Sequence, residues 1–131
     1  MADYKSDYPL VNGASNSNAH LFTQNLSATA ASVGRITLPS QASAFVKDLK
    51  FEYITNGSET ITITGSYNGG TNGSANLVPI DASTGLLAAS ATLSEGSYII
   101  PHTWNFQSYE ITGSGTSDVK TVAWAGILIP K

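Results

Sequence analysis

The sequence predicts an all-β protein: an antiparallel β-sandwich or jelly roll of about eight strands, preceded by an extended N-terminal arm. Three observations carry this reading. Ser, Thr, Asn and Gly fill 17, 14, 9 and 12 of the 131 positions, and all four compete with or weaken helices. Alternating apolar and polar residues recur in short runs, the period of a strand with one wet face. Clusters of Gly, Asn, Ser and Asp separate those runs at regular spacing, as in sandwiches and barrels.

Length and composition frame the rest. A chain of 131 residues fits one domain. Charged residues make up 11%, well below the roughly 25% of ordinary soluble domains, while 41% are hydrophobic, which argues against a disordered chain. A net charge of −3 gives no electrostatic footprint for nucleic acid. The absence of cysteine excludes disulfides, thiolate metal sites and cysteine nucleophiles. No apolar run nears the roughly 18 residues of a membrane span. Met1-Ala2-Asp3-Tyr4-Lys5 shows no basic stretch before an apolar core, so synthesis in the cytoplasm without an export signal is expected.

Residues 1–32 read as the arm and residues 33–131 as the β-domain. The arm has no sustained period beyond one early strand, yet Tyr4, Tyr8, Leu10, Leu21 and Phe22 give it more apolar anchors than a solvated tail needs. In the domain, Phe45 to Ile54 alternates cleanly, with Leu49, Phe51 and Tyr53 opposed to Asp48, Lys50 and Glu52. Asn56-Gly57 then accepts positive φ, and Thr60-Ile61-Thr62-Ile63-Thr64 alternates again, so the pair reads as a hairpin. Further strands are expected at Gly34–Pro39, Ala75–Ile80, Leu86–Leu93, Ser97–Pro101, Trp104–Thr112 and Val119–Ile129. Pro39, Pro79, Pro101 and Pro130 fall at strand ends, where a missing amide proton does least harm.

Val122 to Ile129 is apolar on both faces. Such a run is a central strand covered on both sides, or a strand that turns one face to another copy of the chain. The second reading makes Trp124, Ile127 and Ile129 a subunit interface.

The chemistry-bearing residues form no known catalytic pattern. His20 and His102 lack partners at metal-ligand spacing, and there is no Gly-x-Ser-x-Gly elbow or Gly-rich phosphate cradle. Asp81-Ala82-Ser83-Thr84-Gly85 is superficially like an aspartic-protease triplet, but two extra residues intervene and no second copy exists, so it reads as a turn. Glu52, Glu59, Glu95 and Glu110 stand singly, whereas glycoside hydrolysis needs two carboxylates facing each other across a sugar. Calcium loops require denser oxygen ligands than those around Asp81 or Asp118. No enzyme, metal or cofactor is therefore expected. Trp104, Phe106, Tyr109 and Trp124 lie in expected strands and read as core. Tyr67, Asn68, Asn72 and Trp104 offer the alternative of a sugar-stacking platform. Asn25, Asn56 and Asn72 begin Asn-x-Ser sequons, two of them Asn-Gly turns, and glycosylation is discounted.

As a whole the chain resembles the capsid decoration, or cement, proteins of tailed bacteriophages. The resemblance rests on the arm followed by a compact Ser/Thr/Gly-rich β-domain, with segments such as Thr62-Ile63-Thr64-Gly65-Ser66-Tyr67 and Gly73-Ser74-Ala75-Asn76-Leu77. It implies a virion protein on the capsid exterior, commonly a homotrimer, which clamps major capsid protein subunits against the pressure of packaged DNA. In that setting the arm residues act as anchors along a neighbour's sheet edge. The alternative function is a glycan-binding module or a tail-fibre or receptor-binding domain.

Overall fold

In the computed structural model, the described residues are 20–38, 45–66, 76–101, 104, 106 and 108–130, with backbone alone at 20–22, 45–48 and 127–130. They form nine strands and no helix: β1 (His20–Ala28), β2 (Ser32–Thr37), β3 (Phe45–Thr55), β4 (Ile61–Ser66), β5 (Ile80–Asp81), β6 (Leu86–Leu87), β7 (Gly96–Ile100), β8 (Ser108–Gly113) and β9 (Lys120–Pro130). One sheet has the order β1-β9-β3-β7-β5-β6 and the other β2-β8-β4, with every pairing antiparallel.

The pairing order is that of a jelly roll. β1 pairs with β9, β2 with β8 and β3 with β7, while β4 meets Asn76 through the single bridge at Thr64. The chain is thus one long antiparallel ribbon folded back on itself. Successive stretches of the ribbon go to opposite sheets, and its wrapping is closed by β3 against β9 and β4 against β8. The β5–β6 hairpin is an addition that widens the larger sheet beyond β7.

This arrangement corrects the expected hairpin of β3 and β4. Both edges of β3 are taken, by β9 and β7, and β4 crosses to the other sheet. Alternation fixes which face of a strand is buried, and Asn56-Gly57 fixes where the chain turns. Neither fixes the strand's partner. Other boundaries shift too. The stretches 75–80 and 86–93 supply only the two-residue strands β5 and β6 and isolated bridges at Asn76 and Leu93. In the second stretch, Ser90 Oγ accepts from the Thr92 amide and donates to its carbonyl, a local turn that competes with a ladder. The strand expected from Trp104 begins at Ser108. Within the segment read as the arm, residues 20–28 form β1, while residues 1–19 lie outside the described residues.

The core follows the alternation. Leu49, Phe51 and Tyr53 of β3 point inward with Val122 and Trp124 of β9 and Tyr98 and Ile100 of β7, and meet Ile36, Ile61, Ile63, Tyr109 and Ile111 of the smaller sheet. In the larger sheet, Trp124, Phe51 and Tyr98 share one cross-strand row. The Phe51 ring stands 4.8 Å from Trp124 and 5.2 Å from Tyr98, and Tyr109 joins the row from the opposite sheet at 5.7 Å from Trp124. Aromatic contacts of this kind add to plain burial and fix the register between sheets.

Candidate interaction surface

Two features stand out: a polar lock at one end of the sandwich, and the outward surface and free edge of the larger sheet. The lock joins the β3–β4 turn to the β8–β9 turn. The Asp118 carboxylate accepts from the amides of Ser58 and Glu59, both at 2.9 Å. In return the Glu59 carboxylate accepts from the amides of Ser117 and Asp118, both at 3.0 Å. Asn56 Oδ1 accepts from the Val119 amide, and Tyr53 Oη donates to the Glu59 carbonyl at 2.6 Å. Lys120 is fully buried, and its ammonium donates to Glu59 Oε1 and to the carbonyls of Thr29, Gly115 and Asp118 at 2.8–3.0 Å. The bonds from Lys120 and the two amides hold the Glu59 carboxyl below the ordinary carboxylate range. Burial pushes the Tyr53 phenol up. This lock accounts for a buried charge with full satisfaction, as such charges require.

Among the described side chains, the remaining carboxylates are also spoken for or set apart. Glu95 accepts from the Thr55 amide at 2.7 Å, and Glu110 pairs with Arg35 at 2.7 Å. Asp81 accepts from the Ser83 amide and hydroxyl, which lowers its pKa and confirms the turn reading of Asp81 to Gly85. Glu52 stands exposed on the outward surface of the sheet. Among the described residues no three His, Asp or Glu side chains are grouped to hold a metal ion.

The outward surface of the larger sheet is built in rows. One runs Thr23, Ala125, Lys50, Ile99, Ile80, Leu87; the next runs Asn25, Ala123, Glu52, Ser97. Ala123 and Ala125 carry only a methyl group each between the longer Lys50 and Glu52. The resulting hollow holds about 340 Å³, with Ser97, Ile99 and Ala82 along its other side. Leu87 and its neighbour Leu86 are 64% and 70% exposed at the far edge.

The residues singled out by sequence fall in different places. Tyr4, Tyr8 and Leu10 lie outside the described residues, as do Tyr67, Asn68, Asn72 and His102. Leu21 and Phe22 stand on β1 opposite Ile127 and Gly126, and His20 opens the same strand. Ile127 and Ile129 occupy register positions opposite Asp48 and Val46. Trp124, read on sequence as core and alternatively as part of a subunit interface, sits in the core at 1% exposure, because the even-numbered residues 122, 124 and 126 of β9 face inward. β9 is a central strand, as one of the two readings has it, but its outward alanines are only half-buried. Trp104 and Phe106 are partly buried against the core.

No protein-family model matches the sequence, and no curated protein matches it. The fold does have solved counterparts. The crystal structure of the SPBc2 prophage-derived protein YomS superposes with a TM-score of 0.59 at 12% identity, over 82% of this chain and 94% of that one. That likeness establishes a shared all-β architecture over most of both chains.

Proposed function

We propose that the protein is a non-enzymatic structural component of a bacteriophage particle. It attaches to the outer surface of the capsid through its N-terminal segment and ties neighbouring major capsid protein subunits together. The observation that carries this reading is the jelly-roll ribbon shared, over most of its length, with a prophage-derived protein. Of the four described glutamates, Glu59, Glu95 and Glu110 are committed to turns and to an ion pair and Glu52 stands apart on the outward surface, which supports a mechanical role. A capsid presents many identical sites, so weak individual contacts sum to tight attachment.

The test is co-sedimentation of the full-length chain with expanded capsids of the phage or prophage that carries its gene, beside a variant lacking residues 1–19. That deletion leaves β1 intact. Stoichiometric attachment by the full chain and its loss in the shortened one support the reading. Failure of the full chain to attach, together with binding on a glycan array, favours the receptor-binding alternative.

A further inference from the structure

We propose that β1 is a strand-addition edge that pairs antiparallel with β1 of a second copy of this chain. The two sheets have four edges, and among the described residues three of them are blunted. β6 is two residues long. β4 is covered by the reciprocal Ile61–Leu93 backbone bonds at 3.0 and 2.8 Å and by the Leu77 amide on the Ile63 carbonyl at 2.8 Å. β2 has a register shift between Ser32 and Gly34, and its Arg35 carries a charge out to Glu110. Short strands, bulges, charges and covering segments are the devices by which sheets avoid edge pairing.

Among the described residues, β1 shows none of them. It runs nine residues with no proline, bulge or charge, pairs with β9 without interruption, and carries no strand on its other side among the described residues. The neutrality extends far beyond the strand: residues 8–34 contain no Asp, Glu, Lys or Arg. A chain of net charge −3 repels its own copy in general, and this is the long edge on which two copies meet with no charge between them. A two-fold axis is the commonest symmetry of a pair. Centred on Gln24, it pairs all nine residues, with Thr23 of one copy opposite Asn25 of the other. The result is a continuous twelve-stranded layer from two six-stranded sheets.

This inference rests on the edge alone and is tested without capsids. The mass of the full-length chain is measured by sedimentation from about 1 to about 100 μM, alongside T23K/N25K. Both positions are exposed on the outward surface, so lysines are tolerated within one copy but stand opposite each other across the axis. A pair of twice 13.7 kDa that the double variant dissociates at least tenfold more readily is the expected result. In the unaltered chain, alternate amides of residues 20–28 become protected from hydrogen exchange as concentration rises. This second measurement decides the matter if the variant misfolds. A monomer throughout, a trimer, or a pair indifferent to T23K/N25K with β1 amides unprotected overturns the proposal.

Discussion

Lys120 Nζ lies 2.9 Å from Glu59 Oε1, an ion pair between residues 61 apart in sequence that bolts the β3–β4 turn to the root of β9. The ammonium is wholly shielded while the carboxylate keeps 15% of its exposure. The pair is therefore the point at which the two halves of the folded ribbon are held in step.

Lys120→Met is expected to destabilise the protein by about 3 kcal/mol, the lower end of the range for breaking a buried pair, since the partner retains some water. Urea unfolding followed by Trp fluorescence measures it. A change below roughly 1 kcal/mol, the scale of an exposed pair, would show that the lock is ornamental.

Stability should fall at both ends of the pH scale. The Glu59 carboxyl is depressed by Lys120 and two amides, and Asp81 is depressed by Ser83. Their contribution is complete above the unfolded carboxylate values of about 4 and is lost as pH drops through the lowered folded values. Burial raises Tyr53 and Tyr98, so the unfolded chain ionises first and stability declines from about pH 10 upward. Thermal unfolding across pH 2 to 11 checks both limbs, and Glu59→Gln should flatten the acid one.

Two glycine substitutions separate space from backbone conformation. A Cβ on Gly57 would collide with the Asp118 carboxylate, so Gly57→Ala should displace that side chain and cost about 1–3 kcal/mol. Gly85 has open space around it but a φ of 74°, so Gly85→Ala should cost only about 1 kcal/mol through conformation. A loss for Gly85→Ala larger than that for Gly57→Ala in denaturant titrations would contradict the assigned causes.

Tyr8→Ala should weaken capsid attachment by about 1–3 kcal/mol while leaving the melting temperature unchanged. Occupancy against concentration reads it directly. An unaltered binding curve removes Tyr8 from the set of anchors.

Much of the body was legible because alternation reports burial face by face. Leu49, Phe51 and Tyr53 were read inward, and all three are buried. Strand partners were not legible, since β3 and β4 are neighbours in sequence but members of different sheets. The polar lock was missed for the same reason: Glu59 stands alone in its stretch, Lys120 has only Asp118 beside it, and their encounter depends on tertiary folding. The one available signal was a lysine opening an otherwise apolar run, preceded by Gly113 and Gly115, which leave room for Lys120 and Glu59. Trp124 was left with two readings, core and interface, because an apolar run on both faces does not say which face turns inward.

The pairing of β1 and β3 with β9 also governs how the molecule comes into being. β9 lies between β1 and β3 in the larger sheet and follows both of them in the chain. Each of these neighbours keeps that edge unpaired until β9 has been synthesised. Such long-range closure makes for slow folding. A chain cut short before Lys120 would leave β1 and β3 without the strand that joins them.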